Sequence, residues 1–114
     1  MAIFIKTQQP NLLIMKLNEA ITNGYIQTWK VDNEGDYTIT RMQWFQHAWL
    51  RPYIKDNLLI FGIIQSSNYP ITRQLYGVFH GRFVATLLSH FDNLMNNIEI
   101  TPLMIEEYDI FSNE

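Results

Sequence analysis

Apolar residues in two stretches of the chain recur with the period of an α-helix. Leu13, Leu17, Ala20 and Ile21 repeat at intervals of three or four residues, with polar side chains between them. This pattern predicts a first helix over about residues 11–23. A glycine follows directly, where a helix C-terminus commonly needs a left-handed residue.

A second helical pattern is longer and predicts a helix from about residue 71 to residue 95. Its apolar side chains are spread almost all round the helix: Leu75, Val78, Phe79, Phe83, Val84, Leu87, Leu88, Phe91 and Leu94. A helix of this kind is typically buried on more than one side.

The other segments rich in apolar residues have the short length and composition of strands. They are bounded by turn-forming residues such as those of DNEGD at 32–36. The fold class that follows is α+β, with an antiparallel sheet of four to six strands and two main helices packed on it in β-α-β-β-β-β-α-β order. The predicted strands are AIFIK at 2–6, YIQTWKV at 25–31, YTIT at 37–40, WLRPYIK at 49–55, LLIFGIIQ at 58–65 and IEIT at 98–101.

Four local features refine this outline. Thr40 and Gln43 fit a capping box, which favours a turn or two of helix after the third strand. Pro52 lacks an amide donor, so its strand is expected at a sheet edge or with a bulge. The unbroken apolar run at 58–64 predicts a strand buried on both faces. In the tail, Met104, Tyr108 and Phe111 recur at helical spacing, which favours a short docking helix.

The second helix contains a row of small residues at four-residue spacing: Gly77, Gly81, Ala85 and Ser89. Residues four apart share one face, so the row forms a bare ridge. Each glycine costs about 1 kcal/mol relative to alanine inside a helix, so a close approach by another element is expected to offset the cost. The ridge could pack on the chain's own sheet, on a second copy or another protein, or on a ligand.

The amount of apolar surface that has to be buried favours self-association. A chain with two main helices has little with which to bury both faces of a sheet and several sides of a helix. Symmetric dimers are the commonest oligomers. We therefore expect a homodimer with the ridge as its candidate interface.

Composition sets the class of protein. The length of 114 residues fits a single α+β domain, 1–114, with an acidic C-terminal tail from about residue 102. The net charge of −3 argues against a general nucleic-acid binder. There is no cysteine, hence no thiolate chemistry. The chain shows no signal-peptide pattern and no apolar run near the roughly 20 residues of a membrane span, so a cytoplasmic location is expected.

Few residues have the character of a chemical site. His80 and Arg82 interrupt the apolar second helix, and Trp49, Arg51 and Tyr53 alternate onto one face of a strand. If these segments meet, the two arginines could grip a phosphate or carboxylate. The alternative is that His80 and Arg82 emerge at the exposed edge of the helix or pair with acids across an interface. The histidines lack metal-ligand spacing, and no catalytic motif, metal site or cofactor is predicted.

Nucleic-acid binding by a regulator is a further alternative. The element order within 11–95 is similar to that of double-stranded-RNA-binding domains. Such domains need basic residues at the start of their second helix, and here that start offers only Arg73, so this comparison fails. The nucleic-acid alternative depends instead on the nearly neutral body of the chain and its exposed aromatic residues.

The runs WKVDNEGDYT, AWLRP and YGVFHGRF are similar to those of small uncharacterised bacterial proteins of comparable length. This resemblance implies a bacterial origin and a stand-alone domain, and it brings no activity or site residue with it. The function predicted first is therefore a non-catalytic protein–protein interaction module that self-associates. A small enzyme or anion-binding domain using His80, Arg82 and Arg51 is the alternative.

Overall fold

A computed structural model describes residues 2–111 of the chain. It contains two helices and a six-stranded antiparallel sheet in the order β-α-β-β-β-β-α-β, which confirms the predicted α+β class. The elements are β1 (Ile3–Lys6), α1 (Pro10–Thr22), β2 (Trp29–Val31), β3 (Tyr37–Ile39), β4 (Ala48–Lys55), β5 (Leu58–Gln65), α2 (Arg73–Phe91), a 3-10 turn (Asp92–Leu94) and β6 (Asn97–Ile100).

The strands lie in the order β2-β3-β4-β5-β1-β6, so β2 and β6 form the two edges of the sheet. Strands β4 and β5 form a hairpin over their full length, from Ala48 opposite Gln65 to Lys55 opposite Leu58. Asp56 takes a φ of 54° in the connecting turn, a conformation that aspartate tolerates better than most residues.

Both helices pack on the same face of the sheet. One side-chain set of each inner strand points towards them, as alternation along a strand requires. Phe83 of α2 lies at the centre of this core, with its ring centroid 4.9 Å from that of Trp29 and 4.6 Å from that of Phe61. The core from α1 is supplied by Leu13 and Leu17.

The opposite face of the sheet is partly covered by the C-terminal segment 105–111. A Cβ at Gly62 would lie 1.9 Å from the carbonyl oxygen of Tyr108, so only glycine lets the segment lie this close to β5. Ile110 continues as a parallel bridge to Ile64. The buried carboxylate of Asp109 accepts the backbone N–H of Ile63 at 2.9 Å. The chain thus buries part of the sheet face that its two helices leave uncovered.

The segment 105–111 does not form the predicted docking helix. Its residues make a turn, with the N–H groups of Tyr108 and Asp109 donating to the carbonyl of Ile105, and then run extended beside β5. Asp109 favours this conformation because its second carboxylate oxygen accepts the N–H of Ile105 at 2.8 Å.

Three other local predictions need correction. The strand predicted at 25–31 is ordered as a strand only at Trp29–Val31. Residues 41–47 form successive turns, and the Thr40 hydroxyl donates to the carbonyl of Gln27 at 2.7 Å instead of capping a helix. Strand β4 is internal and not an edge strand. Its neighbour β3 pairs with it only at Leu50, so β3 makes no backbone hydrogen bond at Pro52 that the missing N–H would be needed for.

The doubly buried strand is confirmed, since Leu59–Ile64 are all buried. No helix of residues 2–111 is long and apolar enough to span a membrane.

Candidate functional site

The ridge of small residues on α2 faces away from the sheet. Gly77, Gly81, Ala85 and Ser89 are all exposed, and a Cβ built on either glycine meets nothing within 4 Å. Packing of the ridge on the chain's own sheet is therefore wrong for the described residues. The reason lies in helix geometry: Phe79, Phe83 and Leu87 lie two residues beyond Gly77, Gly81 and Ala85, about 200° round the helix, and this opposite row carries the large side chains and takes the buried position. An interface or a ligand on the ridge remains a hypothesis.

A cleft of about 380 Å³ lies between α2 and the edge strand β6. Val84 and Leu88 of α2 face Ile98 and Ile100 of β6 across it. Leu88 is 53% exposed and Ile100 is 44% exposed, although both are large aliphatic side chains. We call this the apolar cleft.

The two glycines belong to the same side of α2 as the apolar cleft. Gly77, Gly81, Val84 and Leu88 follow one another at spacings of four, three and four residues, which places them in one stripe along the helix. Two positions of this stripe have no side chain and two have aliphatic ones. Another backbone can therefore approach the first half closely and meet apolar atoms in the second.

A larger cleft, of about 600 Å³, lies on the other side of α2, against the β2–β3 hairpin. Its charged residues are Arg82 of α2 and Arg41, which follows β3. Within residues 2–111, neither guanidinium is within ion-pair distance of a carboxylate, and no acidic residue lines the cleft. We call this the arginine cleft.

Arg51 has the opposite environment. Its Nε and Nη2 atoms donate to the two carboxylate oxygens of Asp36 at 3.0 and 2.8 Å, and Nη2 lies 3.6 Å from Glu34. The hydrogen bonds to Asp36 raise the pKa of the Arg51 guanidinium, which stays charged. Since Asp36 is buried, Arg51 is its counter-ion, and the pair joins β4 to the start of β3.

Arg51 and Arg82 are not brought together. Leu50 points into the core beneath the helices, so its neighbour Arg51 points to the other face of the sheet. Trp49 and Tyr53 share that face, as the alternation predicted. Tyr53 packs against the C-terminal segment, with its ring centroid 5.2 Å from that of Tyr108. The sheet therefore separates the two halves of the predicted anion site.

His80 is buried, and its Nδ1–H donates to the carbonyl of Tyr76 one turn earlier, at 3.0 Å. It is the third side chain of the predicted site and does not line the arginine cleft. Burial, followed by the charge of Asp109, raises the pKa of the Tyr76 hydroxyl, which donates to the carbonyl of Thr101. Tyr76 thus joins α2 to the segment after β6, and the ring of His80 lies against that of Tyr76, with 4.4 Å between the ring centroids.

The sequence interpretation missed Arg41, which lies at the end of β3 in a segment expected to be helical. A usable signal was present on α2, where Arg82, Ala85 and Thr86 share one side at helical spacing. DNEGD at 32–36, between two predicted strands, is a further signal, since it is typical of a hairpin, and β2 pairs with β3 across it. What was missing is the position of α2 over the end of that hairpin, which depends on the packing of Phe79 and Phe83 on Trp29.

No group of three or more histidine, aspartate or glutamate side chains in residues 2–111 is arranged to hold a metal ion. No family model, curated protein or solved structure matches the chain. The resemblance to small bacterial proteins thus stays a prediction, and the function has to be argued from the two clefts.

Proposed function

We propose that this chain is a non-catalytic protein–protein interaction module that self-associates through β6 and the adjacent side of α2. The observation that carries the proposal is the apolar cleft beside a free sheet edge. Unpaired edge strands are ready templates for pairing with another chain. A bacterial source and a cytoplasmic location are part of the same proposal.

The edge at β6 is the better of the two edges for pairing. Strand β2 has three residues with Lys30 at its centre, and short charged edges discourage pairing. Strand β6 has no basic residue, and exposed aliphatic groups flank it.

The backbone of β6 suits pairing with its own copy. Thr101 donates its N–H to the carbonyl of Ala2, so by antiparallel alternation the N–H and C=O groups of Ile98 and Ile100 point away from β1. A two-fold axis at Ile98 would let the two copies of this residue exchange both hydrogen bonds. The same axis would bring the two apolar clefts side by side.

Charge favours this register. With the axis at Ile98, Glu99 of the second copy lies opposite Asn97, whose neighbour on β1 is Lys6. Lys6 and that carboxylate are then two strands apart, about 10 Å between backbones, which is within reach of the two side chains. An axis at Glu99 would instead place two carboxylates directly opposite each other, which is unfavourable.

The test is the native mass of the purified chain by size exclusion with light scattering. We expect a dimer, and we expect Leu88→Lys and Ile100→Lys to elute as monomers because each places a charge in the apolar cleft. Matched controls exist: Met15 is 52% exposed on α1 and Ile54 is 46% exposed on β4. Met15→Lys and Ile54→Lys should remain dimeric.

Hydrogen exchange supplies a second measurement that does not depend on variants. The amide of Ile98 should exchange more slowly as concentration and dimer fraction rise. A wild-type monomer at all accessible concentrations would contradict the proposal. So would a dimer that the control substitutions disrupt as much as the cleft substitutions.

A further inference from the structure

We infer that the arginine cleft binds a small organic anion, namely a phosphomonoester with an apolar group. The inference concerns the other side of α2 and does not depend on self-association. It begins with the two guanidinium groups of Arg41 and Arg82, which come from separate elements and line the same cavity.

Neither guanidinium is used by the fold. In the described part of the chain, Arg41 and Arg82 donate no side-chain hydrogen bond and form no ion pair, whereas Arg51 has Asp36 and Glu34. Both residues are exposed at the cleft, so they can turn towards a ligand without breaking an existing contact. Two planar donors with no competing acid suit a dianionic group such as a phosphomonoester.

The floor of the cleft is apolar. Its apolar lining residues are Trp29 and Ile39, both nearly fully buried, and Ala85. An inorganic ion would leave this floor uncovered. A ligand with an aromatic or aliphatic group beside its charge would cover the floor and reach the arginines together, which is the arrangement typical of small-molecule sites.

Three threonines that line the cleft supply its other side-chain hydrogen-bonding groups. The hydroxyls of Thr40 and Thr86 donate to the carbonyls of Gln27 and Arg82, so each offers only acceptor capacity to a ligand. Thr28 makes no side-chain hydrogen bond within residues 2–111 and can donate to a third phosphate oxygen.

Size agrees with this class of ligand. The cleft holds about 600 Å³. Sites for small organic ligands typically measure about 300–1,000 Å³. The charged residues that line the cleft are both cationic although the whole chain carries −3, which favours an anion on this side of α2.

Phenyl phosphate is the probe for the test, and the readout is a ¹H–¹⁵N correlation spectrum of the wild-type chain. We expect saturable shifts at Thr28, Arg41, Arg82 and Thr86. Arg41→Gln and Arg82→Gln should each weaken binding about tenfold or more, because each removes a charge-assisted hydrogen bond. Arg73→Gln, which removes the same charge from the first residue of α2, should change the affinity less than about twofold.

Two further probes separate the sources of binding. Inorganic phosphate should bind at least about tenfold more weakly than phenyl phosphate if the apolar floor contributes. Equal affinity of the two would overturn the organic part of the inference. A short single-stranded oligonucleotide that binds more tightly than phenyl phosphate, and at the same residues, would replace it with nucleic-acid binding.

Other results overturn the inference outright. One is the absence of saturable shifts with phenyl phosphate. Another is an equal loss of affinity in Arg73→Gln and Arg82→Gln, which would show a response to overall charge. Urea denaturation of each variant confirms that it is folded before it is titrated.

Discussion

The two clefts beside α2 differ most clearly in the charge of the residues that line them. The arginine cleft has two cations and, among residues 2–111, no acid, whereas Asp92 is the one charged residue lining the apolar cleft. Both are built on the same helix, from positions only a few residues apart. The row of small residues lies between them on the outer surface. A single helix can therefore present two chemically distinct surfaces, because different residues of its sequence supply the side chains on each side.

The two clefts therefore suit different occupants. The apolar cleft exposes aliphatic side chains that water solvates poorly. Within residues 2–111, the arginine cleft has no carboxylate within ion-pair distance of its two guanidinium groups. We propose apolar cover for the first and an anion for the second, so a substitution confined to one cleft should leave the other surface unchanged.

The largest effect should come from Phe83→Ala, because Phe83 packs α2, the helix that both clefts share, onto the sheet. Its ring contacts those of Trp29, Tyr37 and Phe61. Truncation should lower the free energy of unfolding by about 3–5 kcal/mol. Anion binding and self-association should then be lost together. Urea denaturation measures the first and light scattering the second.

The matched control is Leu88→Ala on the same helix. Leu88 is 53% exposed, so its truncation should cost less than about 1 kcal/mol in the free energy of unfolding when both variants are measured at concentrations that keep the chain monomeric. Similar costs for the two variants would show that Phe83 does not hold the two clefts in place.

The next effect distinguishes a paired arginine from an unpaired one. Arg51→Met should lower the free energy of unfolding by about 2 kcal/mol, because it leaves the buried carboxylate of Asp36 without its cation. This expected cost is smaller than that of breaking a fully buried ion pair, because the Arg51 side chain is 34% exposed to solvent. Arg82→Met removes no described contact and should cost less than about 0.5 kcal/mol. Equal costs would contradict the contrast between the two arginines.

The sheet was predictable because its signals are local. The run at 58–65 and the turn at Asp56 and Asn57 fix the β4–β5 hairpin, and alternation placed Trp49, Arg51 and Tyr53 on one face. Segment 105–111 was not predictable in the same way. Its conformation depends on Asp109 meeting β5 and on the bare backbone at Gly62, and both contacts join residues more than forty positions apart.

The candidate sites were predictable only in part, for the same reason. The sequence identified Arg82 and the glycine row, because their helix is strongly patterned. It paired Arg82 with Arg51, since alternation cannot say which face of a sheet a helix will cover. The true neighbour, Arg41, is set by how α2 packs over the β2–β3 hairpin.

A smaller effect tests the two glycines of α2, which lie between the clefts. Gly77→Ala and Gly81→Ala should each stabilise the monomer by about 0.5–1 kcal/mol, because alanine favours the helix and its Cβ meets nothing within 4 Å. Thermal denaturation at low concentration measures this gain. The dimer should weaken at the same time if the glycines admit a second backbone. A stabilised monomer with unchanged association would remove the glycines from the interface.

Gly35→Ala is the control for the sign of that effect. Gly35 has a φ of +84°, which alanine adopts only with strain. This substitution should destabilise the chain by about 1 kcal/mol although it too meets no atom within 4 Å.

The smallest effect is the response to salt, and it separates the two clefts without any substitution. Raising the ionic strength from about 0.1 M to about 1 M shortens the Debye length from about 10 Å to about 3 Å. Phenyl phosphate should then bind several-fold more weakly, because charge attraction supplies much of its affinity. The dimer should be unchanged or slightly stronger, since salt does not screen apolar contact. A dimer that weakens in parallel would mean that the attraction of Lys6 for Glu99 of the second copy outweighs the aliphatic cover. The apolar cleft would then be secondary to the edge strand, and Lys6→Gln should dissociate the dimer as effectively as Leu88→Lys.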